Sequence, residues 1–169
     1  EFRFQTKLGD WKWILARAKV VARDQHGKPV RMAGTHTDIT KRKQAEAALF
    51  ESERKYRTLF EQLMDAIFIT EADSGRILDV NKQGEKLLGY TRDKIIGRPQ
   101  TLQYPPSKAK EYQQRFQKYA ASPSGSNIEL EVLNQNGRRI STTVSTNALS
   151  IDGKACFISV FKNITSRSQ

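Results

Sequence analysis

Residues 128–165, IELEVLNQNGRRISTTVSTNALSIDGKACFISVFKNIT, decide the fold. Ile128-Glu129-Leu130-Glu131-Val132 alternates apolar and polar residues, the period of a strand. Asn134-Gln135-Asn136-Gly137 is a turn signal, and a long strand follows from Arg138 to Ser150. Asp152-Gly153-Lys154 turns the chain again, into a last strand that ends at Asn163-Ile164-Thr165. Three strands joined by short Gly turns predict an antiparallel meander. Residues 2–40 repeat the plan. Phe2-Arg3-Phe4-Gln5 is the first strand, Leu8-Gly9-Asp10 the turn, and Trp11 to Arg23 the long strand. Asp24-Gln25-His26-Gly27-Lys28 is the second turn, and Asp38-Ile39-Thr40 closes the copy. The closing triplets lie 125 residues apart, too far for a solenoid repeat and right for two copies of a small domain.

Outward from the second meander lies an upstream half that the first copy lacks. Ala66-Ile67-Phe68-Ile69-Thr70 reads as a strand, Asp73-Ser74-Gly75 as a turn, and Ile77-Leu78-Asp79-Val80 as a second strand. Asn81 is a good N-cap for a short helix, Lys82 to Leu88, which ends at Gly89. Thr91 caps another, Arg92 to Ile96, stopped by Gly97. Pro99, Pro105 and Pro106 make the next stretch irregular. Ser107 opens a helix to about Ala121 with Tyr112, Phe116 and Tyr119 on one face, and Ser122-Pro123-Ser124-Gly125-Ser126 is a loop. The order β-β-α-α-α-β-β-β predicts an α+β fold: a five-stranded antiparallel sheet with helices on one face.

Between the copies a helix is predicted from about Lys41 to Leu63, free of Gly and Pro. Leu49, Tyr56 and Leu63 recur every seven residues, Leu59 supplies a second heptad site, Ser52 is the polar exception, and Ala45, Phe60 and Met64 widen the stripe. The stripe either packs on its own sheet or self-associates, and the two are compatible. Three strands alone bury little surface. Trp11, Trp13, Ile14 and Val20 would face water and are expected to be covered, by another chain's strands or by the second domain.

Of the 169 residues, 37% are hydrophobic and 9% aromatic, enough for a packed core. One cysteine, Cys156, excludes an internal disulfide and a multi-cysteine zinc site, and His26 and His36 leave little for a histidine cluster. No run approaches the ~18 apolar residues that span a bilayer. Glu1-Phe2-Arg3-Phe4 shows neither an initiator Met nor a signal-peptide pattern, as expected of a piece of a longer protein. The net charge is +11. Residues 1–63 carry 14 Lys+Arg and 8 Asp+Glu, and residues 64–169 carry 15 and 10, so the excess is evenly spread. Its densest run is Lys41-Arg42-Lys43. A nucleic-acid binder more often concentrates its basic residues on one face, so no nucleic acid is expected; solvated surface is the leading reading, ahead of contact with an acidic protein or membrane surface. There is no Gly-rich phosphate loop, nucleophile motif or metal spacing, and Asp73 and Asp79 do not form a paired-carboxylate cleft, so an enzyme is not expected. Asn163-Ile164-Thr165 also fits a glycosylation acceptor, which reads as chance.

The chain resembles the PAS sensory domains of bacterial signalling proteins. The likeness is carried by Asp79-Val80-Asn81, Leu87-Leu88-Gly89-Tyr90-Thr91, Ile95-Ile96-Gly97-Arg98 and the two closing triplets. It implies that residues 1–40 are the last three strands of a truncated domain, 41–63 a connecting helix and 64–169 a complete domain. Ala48 to Gln62 resembles the helix that opens such a domain. The resemblance further implies small-molecule or cofactor sensing, a homodimer, and relay through helices to a C-terminal output such as a histidine kinase or diguanylate cyclase. It implies a cytoplasmic module of a parent that is either free or membrane-tethered. The alternatives are a ligand-free dimerisation scaffold and, less favoured, a basic nucleic-acid-binding module. Asp38 and Thr40 are expected to hold the first strand-to-helix junction, Thr40 as N-cap and Asp38 as counter-charge, with Asn163 and Thr165 in those places in the second copy. Lys41, where the family often has an acid, departs from the pattern; positive charge in a first turn opposes the helix dipole by ~0.3–1 kcal/mol.

Within the resemblance, each cofactor demands a residue. A flavin adduct of the LOV type needs a cysteine in a stretch beginning Gly-Arg-Asn-Cys; here Gly97-Arg98-Pro99-Gln100 puts glutamine where the thiol would stand. Phe161, where a flavin amide partner is expected, cannot hydrogen-bond a ring. Haem-binding relatives use a histidine of the long helix, and Ser107 to Ala121 has none. No cofactor is therefore expected, leaving an unknown small organic ligand or none. His36 is expected to be structural. The resemblance turns Phe157, Ser159 and Phe161 of the last strand toward the helices, leaving Cys156, Ile158 and Val160 on an opposite face that is also apolar and must be covered. The preceding helix is the expected cover, a dimer partner sharing the task. The pocket candidates are Ile67 or its neighbour Phe68, Leu102, Tyr104, Tyr112, Phe116, Val132, Val144, Phe157, Ser159 and Phe161, which are either plain core or a ligand box. The helix and dimer face comprises Leu49, Tyr56, Leu59, Leu63, Ile158 and Val160. Arg98 is the one candidate for a carboxylate ligand.

Overall fold

The computed structural model of the chain describes residues 1–121 and 127–165. The expected loop Ser122 to Ser126, the side chain of Tyr119 and everything beyond Thr165 lie outside the described residues. The chain divides into two units, Glu1–Arg57 and Thr58–Gln169.

In the first unit, β1 (Phe2–Gln5), β2 (Trp11–Arg23) and β3 (Pro29–Asp38) form an antiparallel sheet in the order β1-β2-β3. The turns fall at Gly9 and Gly27, whose φ angles of 92° and 78° only glycine adopts without strain. The helix α1 (Thr40–Gln62) starts one residue before its expected bound. The β3–α1 turn is fastened to β2 by the Ile39 amide, which donates to the Trp13 carbonyl at 2.9 Å. This local fold-back corrects one expectation: Ile14 is 6% exposed, buried with Ile39, whereas Trp11 is 59% exposed. Trp13 is half-buried, with the Lys43 ammonium 5.0 Å from its ring centroid. Glu1 holds Arg42 and Lys43, each at 2.6 Å, so two of the three basic residues in the first turns find local partners.

The second unit carries β4 (Ala66–Glu71), β5 (Ile77–Val80), α2 (Lys82–Leu88), α3 (Arg92–Ile95), a 3₁₀ turn (Gln100–Gln103), α4 (Pro106–Ala121), β6 (Ile128–Leu133), β7 (Arg139–Ile151) and β8 (Lys154–Asn163). The five strands form one antiparallel sheet in the order β5-β4-β8-β7-β6. The fold is α+β as read from the sequence. Asn81 and Gly89 cap α2 as expected, Gly89 with φ 76°. Thr91 occupies the N-cap of α3 but makes no side-chain cap bond.

Strand pairing assigns the faces. Ala66 pairs with Phe161, Phe68 with Ser159 and Thr70 with Phe157, so these share the helix side. Of these, Ala66, Phe68 and Phe161 share a core cluster with Ile77, Val80, Leu88, Ile95, Val132 and Val144. Ile67 pairs with Val160 and Ile69 with Ile158 on the opposite face, where they pack with Phe60, Cys156 and Leu149. Ile67 is therefore not a pocket residue; its neighbour Phe68 is the one that faces the helices. The back face is covered by the preceding helix, as both apolar faces of β8 demanded, through Phe60 at 5% exposure, a residue that widens the stripe, and not through the heptad positions. Burying one Phe side chain contributes ~1.5–3 kcal/mol. Leu49, Tyr56, Leu59 and Leu63 are 62%, 47%, 57% and 46% exposed, and Leu63 lies past the end of α1.

Candidate functional site

Between the helix side of the sheet and α4 lies a cavity of about 40 Å³. Each element presents the residues its period dictates. From α4 come Tyr112, Arg115 and Phe116, at three- to four-residue helical spacing. From β7 and β8 come Val144, Thr146, Ser159 and Phe161, alternate residues on paired strands. The 3₁₀ turn adds Gln100, followed by Tyr104, and β6 adds Ile128 and Leu130. Phe68 stands edge-on to Phe161 at 5.1 Å, Tyr104 to Tyr112 at 5.0 Å, and Phe116 to Phe157 at 5.1 Å, a rigid aromatic frame.

The polar groups are few and local. Thr146 and Ser159 share a hydrogen bond of 2.9 Å across β7 and β8. The Tyr112 hydroxyl accepts from the Glu131 amide at 3.2 Å and keeps its own proton to donate. Tyr104 is buried and its hydroxyl accepts from Gln103 Nε2 at 3.3 Å; burial pushes its pKa up to about 12, so it is a neutral donor at any physiological pH. Among the described residues, Gln103 Oε1 and Thr70 Oγ1 are buried polar atoms without a partner. The one cation among the described lining residues, Arg115, is paired with Glu111 at 2.7 Å. The wall thus favours a neutral, hydrogen-bonding guest.

Of the sequence candidates, Tyr104, Tyr112, Phe116, Val144, Ser159 and Phe161 line this cavity. Val132 and Phe157 are buried beside it without lining it, and Leu102 is half-buried outside the wall. Arg98 is exposed and does not reach the cavity, because it follows the Gly97 turn at the surface. Gln100, Arg115, Ile128, Leu130 and Thr146 were not anticipated. Gln100 was signalled, since it stands where a reactive thiol would sit, and Thr146 could have been found from the pairing of a hydroxyl strand with Ser159. Among the described residues no three His, Cys, Asp or Glu side chains cluster as metal ligands. His36 is exposed, edge-on to Phe2 at 6.0 Å.

The two junctions share one hydrogen-bond plan. Asp38 Oδ1 accepts from the Thr40 amide at 3.0 Å, and Thr40 Oγ1 accepts from the Trp13 amide at 3.0 Å. Asn163 Oδ1 accepts from the Thr165 amide at 2.9 Å, and Thr165 Oγ1 accepts from the Ser141 amide at 3.2 Å. The Thr40 hydroxyl therefore ties strand β2 and does not stand at the N-cap, a correction with a plain cause: α1 begins at Thr40 itself, one position past the cap, and the oxygen is engaged by the Trp13 amide. Asp38 pairs with Lys12 at 2.7 Å, and that contact, then Thr40, holds its carboxyl well below the usual carboxylate range.

Residues 64–166 match the PAS domain family and residues 1–36 a PAS fold family. The chain is 32% identical over 127 residues to a methyl sulfide methyltransferase-associated sensor of Methanosarcina acetivorans, a stretch that is 75% of this chain and 12% of that protein. It is 24% identical over 172 residues to the sensor protein FixL of Bradyrhizobium diazoefficiens, covering 99% of this chain and 34% of that one. The chain thus spans a third or less of the length of these sensors. Among solved structures, the PAS domain of an HTR-like protein from Haloarcula marismortui superposes with a TM-score of 0.62 at 23% identity, over 72% of this chain and 99% of that one. A PAS domain in complex with ethanol, from a LuxR-family transcriptional regulator of Burkholderia thailandensis, gives 0.55 at 19% identity, over 65% and 97%. No helix among the described residues is long and apolar enough to cross a membrane. With a five-stranded sheet, its helix-side cavity and both closing junctions in place, the chain belongs to the PAS domain family.

Proposed function

We propose that the second unit is a non-catalytic sensory module that takes a small, neutral, hydrogen-bonding molecule into its cavity and relays occupancy through β8. The observation that carries this reading is the position of β8. Its Ser159 and Phe161 wall the cavity, and its Ile158 and Val160 pack in the cluster of Phe60, the buried residue of α1. A guest that moves one face of the strand acts on the other, because a packed core has few intermediate arrangements. About 40 Å³ accommodates on the order of three water-sized centres at ~10–15 Å³ each, so the guest is of the size of a short alcohol. The fold neighbour in complex with ethanol supports that size class, and the sensor relatives support a signalling role for the parent chain; an output of histidine kinase or cyclase type is part of this proposal. The lining offers neither a thiol nor a histidine, which favours a guest other than flavin or haem.

A second reading, a homodimerisation scaffold without ligand, is favoured by the exposed heptad positions Leu49, Tyr56, Leu59 and Leu63. The two separate by experiment. ¹H–¹³C and ¹H–¹⁵N spectra of the chain, titrated with ethanol and propanol, are expected to show saturable shifts at Thr146, Ser159 and Gln100 that a Thr146→Val/Ser159→Ala pair abolishes. Absence of saturable shifts with either alcohol, together with a sedimentation dimer lost in Leu49→Glu/Leu59→Glu, overturns sensing in favour of the scaffold.

A further inference from the structure

A second recess opens at the other end of β8, beside the start of β4. It is a cleft of about 490 Å³ formed by the segment after α1 (Met64, Asp65), by α2 (Gln83, Lys86, Leu87), by the β6–β7 turn (Asn134, Arg138) and by Asn163 at the end of β8. Its chemistry is unlike that of the small cavity. Two cations, Lys86 and Arg138, come to it from different elements, and neither side chain has an ion-pair partner among the described residues. The single acid on its rim, Asp65, is 3.8 Å from Lys162.

The amides sharpen the point. Asn134 Oδ1 accepts from the Asn136 and Arg138 amides at 3.0 and 2.9 Å, and Asn163 Oδ1 accepts from the Thr165 amide at 2.9 Å. Local backbone takes both acceptor positions of the Asn134 oxygen and one of the two on Asn163, and the group each residue keeps for the cleft is the NH₂, a donor. The cleft thus sets two unpaired cations and the NH₂ groups of two asparagines against one carboxylate, Asp65, which lies 3.8 Å from Lys162, so its net charge is positive and donors predominate. Such a wall is complementary to an oxyanion, which accepts at every oxygen and meets both charges. Leu87, Ile140 and Phe161 supply an apolar floor.

We infer that this cleft binds a small organic oxyanion, a carboxylate or phosphate head seated between Lys86 and Arg138 with its apolar body on the floor. This goes beyond the sensing cavity and does not depend on its being occupied. The two recesses meet at Phe161, which lines both, so an anion here would bear on the strand that the cavity uses. Both cations are exposed and screened by salt, so the affinity is expected to be on the order of 1 mM.

The test uses the whole chain and three probes at matched ionic strength: benzoate, inorganic phosphate and, as a neutral ring, benzyl alcohol. Saturable shifts of the Asn134 and Asn163 side-chain NH₂ resonances with benzoate, phosphate or both, and none with benzyl alcohol, are the expected result. Lys86→Gln/Arg138→Gln is expected to weaken that binding at least tenfold while the remaining amide resonances keep their dispersion; both residues are exposed, so the fold does not depend on them. Non-saturating shifts with both anions, equal shifts with benzyl alcohol, or unchanged affinity in the double variant overturns the assignment. Saturation with phosphate alone confines the recognised class to phosphate heads.

Discussion

Asn81 is the residue whose removal should cost the second unit most for its size. It is fully buried and uses its whole amide. Oδ1 accepts from the Gly84 amide at 3.0 Å, capping α2, and from the Ile67 amide at 2.9 Å, while Nδ2 donates to the Phe60 carbonyl at 3.3 Å and to the Asp65 carbonyl at 2.9 Å. One side chain thus joins the end of α1, the start of β4 and the first turn of α2. Asn81→Ala removes a cap, ~1 kcal/mol, and leaves the Ile67 amide without its acceptor, ~1–3 kcal/mol. The expected loss is about 3 kcal/mol, with water relieving the half-exposed Asp65 carbonyl. Asn81→Asp keeps both acceptors and turns a carboxylate oxygen toward two carbonyl oxygens. The charged form is disfavoured there, so the folded pKa of that carboxyl rises above its unfolded value. Its stability is then fullest below the unfolded pKa and falls as pH rises through the folded one. At pH 7 this variant should be at least as unstable as Asn81→Ala, and it should recover on acidification toward pH ~4. Both tryptophans lie in the first unit, so the assay is hydrogen exchange at Phe68, Ile69 and Phe161 amides, which reports the second unit alone. A loss below about 1 kcal/mol for Asn81→Ala, within the range of ordinary surface substitutions, refutes the reasoning; so does an Asn81→Asp variant that loses stability on acidification.

Two further outcomes follow from the same packing. Gly84 sits inside α2, where alanine normally gains ~1 kcal/mol, yet its added Cβ would lie 2.3 Å from Val80 Cγ2 and 3.1 Å from Phe68 Cζ. Both neighbours are fully buried, so Gly84→Ala should destabilise the unit by ~1–3 kcal/mol on balance, read by the same exchange experiment; a stabilised variant would show that the helix can shift. Asp38 has a depressed pKa, so what it contributes is present above the ordinary carboxylate range and is lost only as pH falls through the lower folded value. The Thr40 amide resonance should therefore move at strongly acid pH, Asp38→Asn should abolish that titration, and added salt should shift it upward because Lys12 and Asp38 are exposed; titration of Thr40 in the ordinary carboxylate range would contradict the pairing.

The elements were legible because each carries its own period or punctuation, and the sites were less so because they depend on parity and register. In β4, Ala66, Ile67, Phe68 and Ile69 are all apolar, so alternation could not tell Ile67 from Phe68. Pairing with β8 decides it, since a shift of one residue exchanges the faces. The stripe of α1 was real as a pattern and silent as to partner: Phe60, one of the residues that widen it, reached the sheet while the heptad positions Leu49 and Leu59 stayed in water. Asn81 was readable as a cap, which needs only local sequence. Its bonds to Phe60, Asp65 and Ile67 span 14 to 21 residues, and no local pattern encodes them. Gln100 could be located only through the family likeness, and the NH₂ groups that Asn134 and Asn163 keep for the cleft only through the partners of their oxygens.

The two closing triplets show how a conserved geometry carries a changeable chemistry within one chain. In both, the first side chain accepts from an amide two residues on, the middle residue donates its amide to the carbonyl of a neighbouring strand, and the threonine hydroxyl accepts from that same strand residue, Trp13 in one copy and Ser141 in the other. None of these bonds needs a charge. Asp38 adds one, and with it the Lys12 pair; Asn163 adds an NH₂ instead, and the residue of β7 in the place of Lys12 is the buried Ile140. The first junction is therefore responsive to pH and salt. The second is indifferent to both and presents a donor to a cleft that already holds two unpaired cations. Replacing the acid by its amide in the second copy removes a negative charge from the lip of that cleft: an aspartate at 163 would stand against Lys86 and Arg138 as a built-in competitor for the anion. The same substitution that costs the junction nothing in hydrogen bonds thus leaves the cleft open to an outside oxyanion, and Asn163→Asp should weaken anion binding as Lys86→Gln/Arg138→Gln does, with both cations and the strand's end in place.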